Sequence, residues 1–263
     1  IGRGGMVKPI ASGVYRVNDA MRNDLLECKR GEHASNLGAL IAADIAKLLP
    51  SAEAFIADPV VVDELQPLAR YSGHPYFERR SVFHALNQKA IARSHAKSIM
   101  KKYEELNLIV VHLGGGITVG AHHKGRVIDV NQGLDGDGPF SPERSGSLPV
   151  GQLLKVAFSG IYSYDKMSEM IVGKGGMMAY LGTNDAYIAE REARNGDKKC
   201  MEVLEAMAYQ VAKEIGAMST VLKGEVDAIL ITIGSHRFTS IRGRTKWEHW
   251  QRMHCLPSTV RSR

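Results

Sequence analysis

The sequence predicts a mixed α/β fold, because helical and strand-like hydrophobic patterns alternate along the chain. Apolar residues recur every three or four positions in several segments, the longest of which covers residues 197–222. Short β-branched runs lie between them, the clearest at 108–113 and 226–231. A run of three glycines, 114–116, separates two predicted strands. The 263 residues, 44% hydrophobic and 24% charged, are sufficient for a substantial core.

The first part of the chain is expected to hold two helices and one strand. Residues 34–49 carry apolar side chains on one face and stop at Pro50, which predicts a helix. Residues 53–58 predict a short buried strand. Ser81 is placed to cap a second helix, which the pattern extends to about residue 106.

A three-strand meander is predicted next, and it contains the glycine run. Its strands cover 108–113, 117–121 and 126–130. The three glycines form the first turn, and the second turn holds His122 and His123, which we expect to face solvent.

The rest of the body is predicted to be mostly helical. A loop rich in glycine and proline follows the meander, at residues 132–149. Four helices and a final strand then follow, at 149–158, 163–172, 184–195, 197–222 and 226–231.

Composition excludes several classes of protein. No apolar run approaches the roughly 20 residues that cross a bilayer, so no membrane partner is expected. The three cysteines form neither a CxxC pair nor a disulfide framework. The chain has no charged-then-apolar leader. Together these features predict a cytoplasmic protein.

The net charge of +6 comes entirely from the C-terminal segment. Residues 232–263 carry seven Lys/Arg and one acid, whereas residues 1–231 are neutral. The body therefore predicts no nucleic-acid partner. The segment has neither a helical nor a strand period, so it is expected to add nothing to the fold. It is interpreted as a surface tail or as the product of a shifted reading frame, and the chain as an internal fragment.

Three glycines between two strands predict a phosphate-binding turn, although a plain hairpin is the alternative. Glycines Gly114, Gly115 and Gly116 let the backbone bend and turn its N–H groups toward an anion. His112 precedes them and Thr118 follows. The arrangement resembles the second phosphate loop of the actin-like ATPases, which include sugar kinases and Hsp70-type proteins. The resemblance implies that these five residues bind the nucleotide.

Several strings together resemble the butyrate kinases, with the acetate kinases as their nearest chemical relatives. The most specific is GLDGDGPFSPERSG at 133–146, which is similar to the Arg-Ser-Gly region of those enzymes. Others match in the same order over about residues 1–231: GRGG at 2–5, GEHASN at 31–36, FIADPVVVD at 55–63, FHALNQK at 83–89, GTND at 182–185 and AMAYQ at 206–210.

The resemblance implies a two-lobed, actin-like (ribonuclease H-like) ATPase fold whose first lobe is incomplete. Residues 1–105 would form the partial N-terminal lobe and 106–231 the nucleotide-binding lobe, with 232–263 as an atypical tail. The implied reaction transfers the γ-phosphoryl group of ATP to butyrate, with Mg²⁺ and with unassigned metal ligands. The alternatives are an acetate or branched-chain carboxylate kinase and a non-catalytic fragment that keeps the phosphate loop. A homo-oligomer, dimeric or larger, is also implied.

The resemblance assigns two arginines. Arg3 matches the arginine that holds the substrate carboxylate, and Arg144 matches the one that stabilises the transferring phosphoryl group. A guanidinium fork suits both tasks because its donors meet paired oxygens. For either arginine alone, a surface ion pair is the alternative.

Three further catalytic or nucleotide-site assignments follow from the same resemblance. His84 matches a histidine beside the transferred group, and His112 matches one at the phosphate loop. Either could donate a hydrogen bond without acting as a base. Asp58 matches an acid that orients Arg3 or lies near magnesium, with a strand-end turn acid as the alternative.

The acyl side of the substrate is assigned to Arg3, Gly5, His33 and Asn36, although the last two could simply cap a helix. Butyrate is favoured over acetate because the glycines of GRGG replace a bulkier segment in acetate kinases. A smaller wall would leave room for extra methylenes, each worth about 0.8 kcal/mol when buried.

Two family motifs are missing. The Asn-Pro-Gly-Ser-Thr-Ser loop of the opening strand is absent, and ITIGS at 231–235 stands where a Thr-Gly-Gly adenosine loop is expected. We therefore expect the chain as given to bind ATP weakly and to turn over slowly.

Overall fold

Eight strands and eight α-helices make up the part of the chain that a computed structural model describes, which is residues 1–31, 33–233 and, by their backbone, 237–241. The first strands and helices are β1 (Gly2–Arg3), β2 (Val14–Arg16), α1 (Asp19–Leu26), α2 (Asn36–Lys47), β3 (Phe55–Ala57) and α3 (Ala85–Ser98). A meander follows: β4 (Asn107–Leu113), β5 (Ile117–His123) and β6 (Arg126–Val130). The remainder is α4 (Val150–Ala157), α5 (Tyr164–Ile171), α6 (Gly176–Leu181), α7 (Ala186–Arg194), α8 (Lys198–Val221), β7 (Ala228–Ile233) and β8 (Arg237–Ile241).

The N-terminal sheet has three short strands in the order β1-β3-β2. Strand β1 runs parallel to β3, whereas β2 runs antiparallel to it. Its core is small and includes Leu25 of α1, Ala39 of α2 and Ile56 of β3. Because β1 and β3 are parallel, Arg3 and Ala57 lie side by side, and Asp58 follows at the same edge.

The second sheet has five strands in the order β6-β5-β4-β7-β8. Neighbours are antiparallel except for β4 and β7, which are parallel. Alternation along β4 sends Leu108 and Val110 toward α3, and Ile109 and Val111 toward α8. The sheet is therefore covered on both faces, which explains why β4 reads as a continuous apolar run.

The start of α3 differs from the prediction. The helix begins at Ala85, directly after His84, and Ser81 does not cap it. The Ser81 hydroxyl instead donates to the carbonyl of Val62 at 2.6 Å. The helix also ends at Ser98, earlier than expected, and Met100 follows with a φ of 55°.

The expectation that His122 faces solvent is wrong. Strand β5 continues to His123, and the turn is made by Lys124 and Gly125, both with positive φ. His122 is fully buried, whereas His123 is exposed, because consecutive strand residues point to opposite faces.

Four short elements, β1, β2, α1 and α6, were not predicted. They have two to eight residues each, too few for a periodic pattern. The longer helices and the strands of the meander were predicted nearly in place. No described helix has both the length and the apolar character that a membrane span requires.

The expectation that residues from 232 onward add nothing to the fold is wrong for part of that segment. Thr232 and Ile233 complete β7, and β8 pairs antiparallel with β7 at the sheet edge. The predicted tail at 242–263, like residues 234–236, lies outside the described residues.

Candidate active site

The glycine turn joins β4 to β5 and brings backbone donors together. The Gly114 amide donates to the Gly116 carbonyl at 3.2 Å, which closes the turn. Within the described residues, the amides of Gly115 and Gly116 donate to no other group. Two adjacent uncommitted N–H groups at a glycine turn are the donors that a phosphate oxygen requires.

Arg144 packs directly over this turn. A Cβ on Gly116 would lie 2.8 Å from Cζ of Arg144, so only glycine admits the guanidinium here. One terminal nitrogen of Arg144 donates to the Gly133 carbonyl, whereas its buried Nε has no partner among the described residues. Burial lowers the pKa of Arg144, the nearby carboxylate of Glu143 opposes that shift, and the guanidinium stays charged at neutral pH.

The loop that carries Arg144 is tied to the glycine turn. The Ser141 hydroxyl donates to the Gly115 carbonyl at 2.5 Å. The backbones of Ser141 and Arg144 are also joined, because the Ser141 amide donates to the Arg144 carbonyl at 3.0 Å. The positions of the arginine and of the free amides are therefore coupled.

Two imidazole rings stack beside this turn. The centroids of His84 and His112 are 3.8 Å apart, with 16° between the ring planes. His84 Nδ1 is 2.9 Å from the Thr118 hydroxyl, and His112 Nδ1 is 2.8 Å from Oδ1 of Asn87. Burial, together with the neighbouring His112 and the two arginines, lowers the pKa of His84 to about 2. Burial and the same arginines lower the pKa of His112 to about 4, so both rings are neutral at pH 7.

Arg3 lies at the edge of the N-terminal sheet and is exposed. A small cleft is lined by Arg3, Asp58, His84 and Asn87, among others. Burial lowers the pKa of His33, and the charges of Arg144 and Arg3 lower it further. The charges of two arginines therefore act on three neutral imidazoles, an arrangement suited to an anion.

Asp58 is buried at this edge, and its carboxylate binds groups other than Arg3. Its Oδ1 accepts from the Ser12 hydroxyl at 2.6 Å and from the Gly13 amide at 2.9 Å. Its Oδ2 pairs with Arg93 at 3.0 Å. Asp58 therefore orients Arg93 rather than Arg3, and both of its oxygens are used.

Asn36 and Gly5 support the backbone near the cleft. The Asn36 side chain accepts from the Met6 amide at 2.8 Å and donates to the Gly31 carbonyl at 3.1 Å. A Cβ on Gly5 would lie 2.6 Å from Cα of Asn36. These two residues hold the segment that follows Arg3 against α2, and their role in binding a substrate stays a prediction.

His33 and Thr118 differ in what they offer a ligand. His33 is half-buried, and its Nδ1 accepts from the Ser35 amide at 3.1 Å, so the neutral ring carries its proton on Nε2. Thr118 is fully buried, and its hydroxyl lies within hydrogen-bond distance of both His84 and Gln88. Thr118 is therefore connected to the cleft only indirectly, through its hydrogen bond with His84.

The residues fit the phosphate end of a nucleotide but not a preformed magnesium site. The free amides of the glycine turn and the buried Nε of Arg144 are donors for anionic oxygens. Within the part of the chain that the structure describes, no cluster of three or more His, Cys, Asp or Glu could hold a metal ion.

Sequence reasoning missed the residues that support the site. Asn87, Gln88 and Ser141 contact His112, Thr118 and Gly115, respectively. Gln88 lies four residues after His84, on the same face of α3, which was the one available signal. Nothing in the sequence pointed to the partners of Asn87 or Ser141, which are distant along the chain.

The fold is the actin-like ATPase fold, which the chain shares with solved acetate kinase structures. Among solved structures, the acetate kinase of Porphyromonas gingivalis matches with a TM-score of 0.73 and 21% identity, over 86% of this chain and 59% of that one. A propionate kinase from Francisella tularensis subsp. tularensis SCHU S4 matches with a TM-score of 0.69 and 20% identity, over 87% and 60% of the two chains. The acetate kinase of Entamoeba histolytica matches with a TM-score of 0.71 and 18% identity, over 88% of this chain and 62% of that one.

The sequence itself identifies the family. A model of the acetokinase family matches residues 66–242, and the chain belongs to that family. The chain spans about three fifths of the length of the solved structures it matches. The family-level resemblance is thereby confirmed, and the butyrate kinase subclass stays a prediction.

Proposed function

We propose that this chain is part of a carboxylate kinase, which transfers the γ-phosphoryl group of ATP to a short-chain carboxylate. The observation that carries the proposal is that the charges of Arg3 and Arg144 both act on the stacked His84–His112 pair, and that Arg144 packs over the glycine turn. Phosphoryl transfer requires positioning and charge stabilisation more than covalent chemistry, and this cleft offers both.

Arg144 is assigned to the transferring phosphoryl group. Its guanidinium sits over Gly116, and its Nε has no partner among the described residues, so it can donate to an equatorial oxygen. The adjacent amides of Gly115 and Gly116 are assigned to the phosphates of ATP. Mg²⁺ is proposed from the resemblance to the family alone.

The two stacked histidines are assigned different roles. Because Asn87 Oδ1 only accepts, His112 Nδ1 carries the proton, and the neutral ring presents an unprotonated Nε2. His84 Nδ1 faces Thr118 instead, which leaves its Nε2 toward the cleft. His84 is therefore the neutral donor to a phosphoryl oxygen, and a base role is not required of either ring.

Arg3 is assigned to the carboxylate of the acceptor. It is exposed at the cleft, and the described residues include no salt-bridge partner for it. A free guanidinium can bind both carboxylate oxygens. Gly5, His33 and Asn36 would then line or support the acyl side.

The identity of the acid rests on sequence motifs alone. The whole string at 133–146 resembles that of butyrate and branched-chain carboxylate kinases, whereas acetate and propionate kinases are among the solved structures that match. The glycines of GRGG do not open a larger pocket for the acyl chain. A Cβ on Gly4 would lie 2.9 Å from Cα of Pro59, so that space is filled by protein.

Location and assembly remain part of the proposal. We propose a cytoplasmic homo-oligomer that binds ATP or ADP and a small carboxylate, without nucleic-acid or membrane partners. These statements rest on the composition of the body and on the resemblance to the family.

The test is a coupled assay for acyl phosphate in the full product of the gene, with ATP, Mg²⁺ and acids of two to six carbons. We expect turnover with at least one short-chain acid, and the highest kcat/KM with butyrate. A preference for acetate or propionate would show that butyrate is not the preferred substrate and would leave the carboxylate kinase assignment in place. Binding of ATP without turnover on any acid would establish the non-catalytic alternative and refute the kinase proposal.

A further inference from the structure

A line of buried polar side chains runs from the core to His84. Gln88, Thr118 and His122 are fully buried, and Tyr103 is nearly so. Buried polar groups are stable only when they are hydrogen-bonded, so the direction of each bond in this line is constrained. None of these residues except Thr118 was expected to influence the site.

Four contacts join these side chains into one chain of hydrogen bonds. The Tyr103 hydroxyl is 2.6 Å from His122 Nδ1, and His122 Nε2 is 2.9 Å from Gln88 Oε1. Gln88 Nε2 is 2.9 Å from the Thr118 hydroxyl, which is itself 2.9 Å from His84 Nδ1. The chain therefore ends on the imidazole that faces the cleft.

The orientation of the Gln88 amide is determined by a backbone carbonyl. Gln88 Nε2 lies 3.1 Å from the carbonyl oxygen of Thr118, as well as close to the hydroxyl of the same residue. A carbonyl oxygen only accepts, so the NH₂ group of the amide must face Thr118. The amide oxygen must then face His122, whose Nε2 carries a proton and donates to it.

The direction of the bonds on the His122 side is consistent with this orientation. Burial and the nearby Lys89 and Arg93 lower the pKa of His122 to about 3, so the ring is neutral. With the proton on Nε2, its Nδ1 accepts from the Tyr103 hydroxyl, and burial raises the pKa of Tyr103 so that the hydroxyl keeps its proton.

The direction of the last bond follows at Thr118. The hydroxyl receives a hydrogen bond from Gln88, so its own hydrogen needs an acceptor. His84 Nδ1 is the acceptor within reach, at 2.9 Å. If His84 donated instead, the hydroxyl hydrogen would stay unsatisfied in a fully buried position, which is costly.

We propose that Gln88, acting through the Thr118 hydroxyl, holds His84 as the tautomer that is protonated on Nε2. Gln88 and Thr118 are positioning residues, because neither reaches the cleft and both act through His84. The charged and titratable groups that face His84 are His112, Arg144, Arg3 and His33. The tautomer stands on the hydrogen-bond geometry alone, and its use toward a phosphoryl oxygen rests on the proposed function.

The test is long-range ¹H–¹⁵N correlation NMR of the ligand-free chain labelled with [¹⁵N]histidine, at pH 7. Signals are assigned by single His→Gln substitutions at His84, His112 and His122. We expect His84 and His122 to be protonated on Nε2 and His112 on Nδ1. His84 protonated on Nδ1, or doubly protonated, would overturn the proposal.

Two variants test the chain of bonds itself. Gln88→Leu and Thr118→Val should each convert His84 to a mixture of tautomers, which moves its Nδ1 resonance away from the unprotonated range. Thr118→Ser, which keeps the hydroxyl, and Gln152→Leu, at an exposed glutamine of α4, should leave His84 unchanged. An unchanged circular dichroism spectrum, together with retention of the Nδ1-protonated tautomer of His112, which bonds to Asn87 instead, shows that each variant is folded.

If His84 keeps one pure Nε2–H tautomer in folded Gln88→Leu or in folded Thr118→Val, the proposal that Gln88 and Thr118 hold this tautomer is refuted. Should either variant fail to fold, the other variant and the wild-type spectrum decide. The measurement needs no substrate and no turnover, so failure of the kinase assay and failure of this proposal are distinguishable.

Discussion

The guanidinium of Arg144 occupies the space in which a side chain at Gly116 would lie. An ideal Cβ on Gly116 would be 2.8 Å from Cζ of Arg144. The glycine turn thus does two things: it leaves amides available, and it admits an arginine against them. This relationship makes the turn and the arginine one unit whose parts can be tested separately.

Gly116→Ala is expected to displace Arg144 and to lower kcat while the protein stays folded. The new methyl group conflicts with the Arg144 side chain, and it also lies 3.0 Å from the carbonyl oxygen of Gly133 in the loop after β6. We expect kcat to fall by about 10²-fold or more, a scale set by misplacement of a catalytic group. Steady-state kinetics and circular dichroism of the full gene product measure both effects.

The matched control for this change is Gly216→Ala, in the middle of α8, where an added Cβ meets nothing within 4 Å. It should stabilise the protein by about 0.5–1 kcal/mol, because alanine favours a helix over glycine, and it should leave kcat unchanged. Normal kcat in folded Gly116→Ala would show that Arg144 does not need its present position.

Arg144→Ala should lower kcat by about 10³-fold or more and leave KM nearly intact. An interaction made only in the transition state affects turnover and not ground-state binding, and losses of arginine fingers set the scale. Arg144→Lys should not restore activity, since an ammonium cannot reproduce the planar fork. Arg126→Ala, at an exposed position of β6, is the control. Near-normal kcat in a folded Arg144→Ala protein would reduce Arg144 to a structural residue.

Arg3→Ala should raise KM for the carboxylate at least tenfold, with a smaller effect on kcat. Its proposed contact exists already when the acid is bound, so its loss weakens binding before transfer. KM for ATP should change little. The control is Arg16→Ala, which removes a surface pair with Glu53, two residues before β3. A selective rise in KM for ATP would show that Arg3 binds the nucleotide and not the carboxylate.

Glu214→Gln should stabilise the protein more at pH 8 than at pH 5. Burial, reinforced by Asp137 and Asp129 and opposed by Arg79, raises the pKa of Glu214 to about 7. A carboxyl with a raised folded-state pKa loses stability as pH rises from its unfolded value near 4.5 through 7. We expect a gain on the order of 1–3 kcal/mol at pH 8 and almost none at pH 5.

Denaturant unfolding at the two pH values measures this gain. Glu205→Gln provides the matched control, because Glu205 is exposed on the same helix and its substitution should have equal effects at both pH values. An equal gain for Glu214→Gln at pH 5 and pH 8 would contradict the assignment.

Local patterns in the sequence determined most of the second sheet and its helices. The apolar run of β4 and the long periodic face of α8 each exceed one repeat of their pattern, so each predicts its own element. The glycine turn was also evident in the sequence, because three consecutive glycines lie between two predicted strands. The family also follows from local strings such as that at 133–146.

Tertiary structure decided which polar residues act together. Nothing local distinguishes a solvent-facing His122 from a buried one, and its burial depends on β5 continuing past the expected turn. Asp58 pairs with Arg93 rather than Arg3, which lie 35 and 55 residues away along the chain. Such pairings depend on how separate elements pack, and a hydrophobic period carries no information about them.

The same distinction holds at the C-terminal end of the described chain. The segment from 237 to 241 has no strand period, yet its backbone forms β8, because β7 presents an open edge with unpaired donors and acceptors. The sequence by itself thus determined the family, the glycine turn and the long elements. The three-dimensional packing decided the edge strand, the partners of Asp58 and the buried line from Tyr103 to His84, because each depends on contacts between residues far apart in the chain.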